Sequence, residues 1–171
     1  MLKKERHIGI FFINLAIFIL LLILHFSGVT AVKISGASPL LILPLLTAFS
    51  MFFDELYAAF TGLAVGICMD AFTSGTYCFN ALSLMLLGLA VSFTVHYLFN
   101  RNIRSALVLS LFCCAVYYFL RWLCFYAFGS GAEDSFLYLF RYGFPSAVYS
   151  AVFVVPFYFL ERFFYKKRGF A

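Results

Sequence analysis

Charge is scarce in this chain: 11% of its residues are Asp, Glu, Lys or Arg, against 65% hydrophobic ones. Soluble domains carry about 25% charged residues, so too few are present to clothe a water-facing surface. A freely soluble globule is excluded. Acids are scarcer than bases, 7 against 12. The basic residues sit mostly at the ends of apolar runs, where membrane topology accounts for them. The formal charge of +5 is therefore not a nucleic-acid footprint, and no nucleic-acid partner is expected. The five cysteines, Cys68, Cys78, Cys113, Cys114 and Cys124, form no C-x-x-C pair and no His-bearing metal spacing. Four lie inside apolar runs, as small apolar side chains, and neither a metal nor a cofactor is expected. No loop is long enough to form an extracytoplasmic domain, so partners must be met within the bilayer or at its faces.

What is present is apolar sequence in long runs, with a mean hydropathy of +1.02 and 25 phenylalanines, bulk suited to contact with lipid. Charges and turn residues divide residues 1–171, a single integral membrane domain, into six stretches near 8–26, 38–53, 56–72, 80–99, 105–128 and 136–160. The first is about 28 Å long as a helix, enough to cross a bilayer. Its apolar core exceeds the ~7–15 residues of a signal peptide, so it is read as an uncleaved span. The second is short and contains Pro44, which predicts a kink or a broken helix. Lys3, Lys4, Arg6, Arg101, Arg104, Arg162, Lys166, Lys167 and Arg168 fall on the side of the two termini, while Lys33, Glu133 and Asp134 fall opposite. The positive-inside rule then places both ends in the cytoplasm. The expected fold is all-α, a polytopic bundle of six transmembrane helices.

Charges inside the spans are costly and face protein or a cavity. Asp70 lies 15 residues beyond Glu55, roughly 22 Å from the cytoplasmic end of its span, and Arg121 lies about 24 Å along its own. Arg141 enters from the outer face at a similar depth. Their common level suggests one intramembrane cluster of Asp70, Arg121 and Arg141, paired because a lone charge there lacks both water and a counter-ion. The alternative is that the arginines snorkel outward to the headgroups. A structural ion pair is preferred to a proton pathway, since no further acids lead across. His25 and His96 are read as interfacial packing residues. Arg162, Lys166, Lys167 and Arg168, interleaved with Phe163, Phe164 and Tyr165, form an expected anchor for anionic lipid, with a cytoplasmic partner as the second reading.

The third span carries the most information. Ala58, Gly62, Gly66 and Asp70 recur every four residues and stack on one helix face. Gly62 and Gly66 form a G-x-x-x-G, which lets another helix backbone approach closely. The expected role is a docking face for a partner helix or for one of the chain's own helices. Gly88 and Ser92, four apart on the fourth span, offer a matching face.

With Ser74 and Gly75 in the turn, and then Asn80, Ala81 and Leu82 opening the next helix, this stretch resembles the hallmark of the MreD family of rod shape-determining membrane proteins. The family pattern is a G-x-x-x-G-x-x-x-D, a short Gly-containing turn, and a Gly-x-Asn-Ala-Leu element. The likeness covers about twenty residues, and elsewhere only the hydropathy plan agrees. Cys78 stands where the family has its second glycine, which bears on the geometry of the turn. The resemblance implies a non-enzymatic component of the cell-elongation machinery in the bacterial cytoplasmic (inner) membrane. It also implies MreC as direct partner and MreB, RodA and its transpeptidase as looser ones in lateral peptidoglycan synthesis.

Two rivals stand beside this reading. A substrate-binding S component of a vitamin importer shares the size and helix plan, but Ala16 is followed four positions later by Leu20 where an Ala-x-x-x-Ala is expected. A membrane enzyme would need clustered acids for a metal, or a base for Ser74 as nucleophile. Asp70 is the one acid within a span, and no His is placed to serve Ser74, so no catalytic residue is assigned.

Overall fold

The computed structural model describes residues 2–27, 40–73, 75, 77–98, 101–125 and 143–167, with backbone only for 2–11, 144 and 167. Among these residues every regular element is helical: α1 (Leu2–Phe26), α2 (Ile42–Phe52), α3 (Glu55–Phe72), α4 (Phe79–Tyr97), α5 (Ile103–Phe125), α6 (Phe144–Val152) and α7 (Val154–Lys167). Four stretches are long and apolar enough to cross a membrane: α3, α4, α5 and Pro145–Lys166, which joins α6 to α7. Large apolar side chains stand outward on all of them, among them Phe60, Leu86, Phe112 and Phe159. An outer surface of this kind is solvated by lipid, and the protein is an all-helical membrane protein.

The centre of the bundle is α2. All 11 of its residues are buried, as expected of a helix that is hydrophobic all round. It packs against each of the other helices. At about 1.5 Å per residue it is roughly 16 Å long, too short to cross. Pro44 does not kink it. The helix begins at Ile42, so Pro44 lies in the first turn, where a missing N–H removes no intrahelical bond. Residues 38–39, at the expected start of this stretch, lie outside the described residues.

The sixth stretch also differs from expectation. Its helix continues through Lys167 rather than ending at 160, so most of the supposed tail is helical. Residues 126–142 and Arg168 lie outside the described set, as do Ser74 and Arg141. Between α6 and α7 the helix breaks at Phe153, whose N–H turns to the Ser150 carbonyl. Pro156 accounts for the break: it has no N–H for the Val152 carbonyl and its ring crowds that carbonyl.

Two sets of contacts define the ends of the bundle. At one end Phe26 of α1 meets Phe72 of α3, with ring centroids 5.0 Å apart. At the other, Phe52 of α2 lies 5.4 Å from Tyr165 of α7, and His96 of α4 lies 3.7 Å from Glu55 of α3. Between them a buried polar contact ties α1 to α7, where the Asn14 amide donates to Glu161 Oε2 at 3.1 Å. Both residues are about 1% exposed.

Candidate functional site: the α3–α4 junction

Small residues bring α3 and α4 into backbone contact. A Cβ on Gly62 would stand 2.4 Å from the Leu84 carbonyl oxygen, and one on Gly66 would stand 2.4 Å from the Ala81 Cα. A Cβ on Gly88 would in turn come within 2.8 Å of the Ala58 carbonyl oxygen. The strip Ala58, Gly62, Gly66 is thus covered by α4 of the same chain, and Ala58 is wholly buried. Of the two expected occupants, the internal helix takes this face. Ser92 also lies on the matching side of α4, and its hydroxyl donates to the Phe53 carbonyl at 2.9 Å.

Where this strip ends, Asp70 performs the task usually given to a residue at the start of α4. The first N–H groups of any helix lack intrahelical partners, and a side-chain oxygen at the N-cap ordinarily accepts from one of them. Here the N-cap is Cys78, which makes no side-chain capping bond. The Asp70 carboxylate, reaching across from α3, accepts instead. Its Oδ2 takes the Ala81 N–H at 2.9 Å, and its Oδ1 takes the Asn80 N–H at 3.3 Å and the Asn80 side-chain amide at 2.9 Å. A carboxylate at this position also meets the positive end of the helix dipole. The motif therefore has a physical content: the glycines let the helices touch, and the acid closes the end of the second one.

Asn80 extends the network to α5. It is 3% exposed, and its side-chain oxygen accepts from the Tyr117 hydroxyl at 2.6 Å. The Arg121 guanidinium, one turn beyond on α5, lies within electrostatic reach of that hydroxyl, as does the Asp70 carboxylate. The two charges share one region of the bundle, and Asn80 and Tyr117 link the Asp70 carboxylate to α5. Leu82, last of the motif positions, points outward and is 56% exposed.

The turn explains the departure at Cys78. Gly75 has φ +90°, Tyr77 φ 41° and Cys78 φ 63°. Cys78 thus occupies the left-handed region that glycine enters at no steric cost and other residues enter at about 1–2 kcal/mol. Tyr77 is 93% exposed and Cys78 is exposed, so neither contributes packing to the junction.

A second cluster lies at the opposite end, where the sequence placed a lipid anchor on α7 and gave Arg101 and Arg104 only a topological role. Arg101, in the turn between α4 and α5, donates to the Tyr165 hydroxyl at 2.7 Å and lies 5.1 Å from the centroid of that ring. Its carbonyl accepts from the Tyr158 hydroxyl at 2.8 Å. Arg162 and Lys166 of the expected anchor are exposed on α7, and Arg162 also lines a cavity with Arg101 and Arg104.

The junction is a clamp: a carboxylate, an amide and a phenol hold three helices together. No protein-family model, curated protein or solved structure matches the chain.

Proposed function

We propose that the chain is a non-enzymatic, MreD-like component of the bacterial cell-elongation machinery, resident in the cytoplasmic membrane with both termini in the cytoplasm. The observation that carries the reading is the junction itself. The residues that make up the MreD-like pattern, Gly62, Gly66, Asp70, Asn80 and Ala81, meet as one interlocked unit, and Cys78 adopts the backbone conformation natural to the family's glycine. Support for a common side for the termini comes from α1, which delivers Phe26 to the end of the bundle away from Tyr165.

On this reading MreC is the direct partner. Because α4 already covers the glycine strip, MreC engages another surface. The test is purification of the tagged chain from its native membrane in mild detergent, followed by identification of what accompanies it. MreC in near-stoichiometric yield is the expected result. A folded, monodisperse chain without MreC, carrying a bound vitamin, would turn the assignment to the importer subunit.

A further inference from the structure

At the end of the bundle opposite Asp70, a cavity of about 380 Å³ opens between the α4–α5 turn and α7. Three guanidinium groups, from Arg101, Arg104 and Arg162, line it, together with Ile103, Tyr158 and Phe159. Among the described lining residues there is no acid. Glu161, next to Arg162 in sequence, is buried and bonded to Asn14 of α1.

Two of these cations stand at the positive end of a helix. Arg101 and Arg104 flank the start of α5, whose first turn contains no acidic residue. A helix N-terminus is the positive end of the dipole and favours anions, not cations. The first intrahelical bond of α5 runs from the Ala106 N–H to the Asn102 carbonyl, so the N–H groups of residues 103–105 precede the ladder and add to the positive field. Arg101 is nonetheless held in place, by Tyr165 at its guanidinium and Tyr158 at its carbonyl. Three cations kept around a hollow, one of them fixed by the Tyr165 phenol, form a receptor for an anion that brings acceptor oxygens to several of them at once.

We propose that this cavity seats the phosphate of an anionic membrane phospholipid. Phosphate is the group whose oxygens match arginine forks, and the walls select the lipid-borne form over a soluble one. From Ile103, the α5 face continues through Leu107 and Leu111, 37% and 43% exposed. From Phe159 the neighbouring face continues back through Val152 and Val148, also exposed. These apolar lanes lead away from the cavity along the length of the bundle, where an acyl chain would lie. The inference rests on this end of the protein facing the inner leaflet. It does not depend on a role in cell shape, so it and the MreC assignment fail separately.

The test titrates purified full-length protein in neutral detergent with phosphatidylglycerol, phosphatidylcholine or inorganic phosphate, reading bound lipid by native mass spectrometry and the thermal midpoint in parallel. Phosphatidylglycerol should bind and raise the midpoint, and the other two should not. Each arginine near an anionic surface contributes a factor of about five, so Arg104→Gln with Arg162→Gln should weaken binding about 25-fold. Both side chains are exposed, so the lipid-free midpoint should stay unchanged. Replacing the same two by lysine keeps the net charge but removes the forks, and should also weaken binding. Full binding by the lysine variant would overturn the seat in favour of diffuse attraction. Equal binding of phosphatidylcholine would overturn it as well, and a midpoint shift with inorganic phosphate alone would overturn the lipid assignment.

Discussion

The first turn of α4 is closed by a carboxylate of the same chain, whereas the first turn of α5 is flanked by arginines and a hollow. Both are helix N-termini with the same unsatisfied N–H groups and the same dipole, so the contrast lies wholly in what the sequence places beside them. At α4, Asp70 meets the Asn80 and Ala81 amides at hydrogen-bonding distance, and glycines remove the space a ligand would need. At α5, Arg101 and Arg104 line an open cavity. Satisfied polar networks fix structure, and unmatched charge around a cavity invites a ligand. The Asp70 end is where substitution should cost stability, and the arginine end is where it should cost binding.

The largest effect is expected from Gly66→Ala. Its new methyl would meet the Ala81 Cα and the Asn80 carbonyl oxygen, backbone atoms that cannot rotate away. The helices must part, which separates Asp70 from the amides it caps. A loss above about 4 kcal/mol is expected, the range of severe core disruption, seen as a collapse of folded yield and of the thermal midpoint in detergent. A midpoint within a few degrees of the native one would show that α3 and α4 are not in backbone contact.

Next in size is Asp70→Asn. The replacement keeps the shape but loses the charge, and its amide group presents a donor where the native oxygen accepted. Hydrogen bonds to charged groups contribute about 1.5–3 kcal/mol, so a loss of that order is expected, with faster amide exchange at Asn80 and Ala81 as the local signature. Tyr117→Phe should cost less, about 1 kcal/mol, since one neutral acceptor on Asn80 loses its partner. Because Asn80 links the two, the double variant should lose less than the sum of the singles. Strict additivity would break the network into independent parts.

Much of this end was legible from spacing alone. A period of four put Ala58, Gly62, Gly66 and Asp70 on one face, and a second period of four identified Gly88 and Ser92 as its complement. Counting helical rise brought Asp70 and Arg121 to one level. What spacing could not supply was the link from Asp70 to α5. Tyr117 lies one turn before Arg121, on the same face of α5, but a neutral phenol in an apolar run leaves no mark on hydropathy or charge. Asn14 was missed because the first stretch was read for formal charge, and an amide carries none. Glu161 fell just beyond the sixth stretch, which was ended at 160 where Glu161 and Arg162 close the apolar run, although α7 continues to Lys167. Pro44 was read as a kink because the start of α2 is not marked by any capping residue; its N-cap is Leu41, without a side-chain bond. The arginine cavity arises from residues about sixty apart in sequence; Arg101 and Arg104 were accounted for by topology and Arg162 by a separate lipid anchor, so nothing in the spacing joined the three.

The smallest effect, and the one of opposite sign, belongs to Cys78→Gly. Cys78 holds φ 63° and ψ 14°, a conformation that costs a residue with a Cβ about 1–2 kcal/mol. Glycine removes that cost but gains freedom in the unfolded chain, worth about 0.5–1 kcal/mol in the other direction. The side chain is exposed and makes no capping bond, so little packing is lost. A net gain of roughly 0.5–1 kcal/mol is expected, read as a higher thermal midpoint. Cys78→Val should lower it, since a β-branched side chain tolerates positive φ least. The pair sharpens the contrast between the two N-termini. If α4 is capped from α3 by Asp70, its own N-cap position answers to backbone conformation alone, and glycine must outperform every side chain there. A midpoint that falls with glycine and holds with valine would mean that Cys78 itself, not the carboxylate across from it, closes the helix.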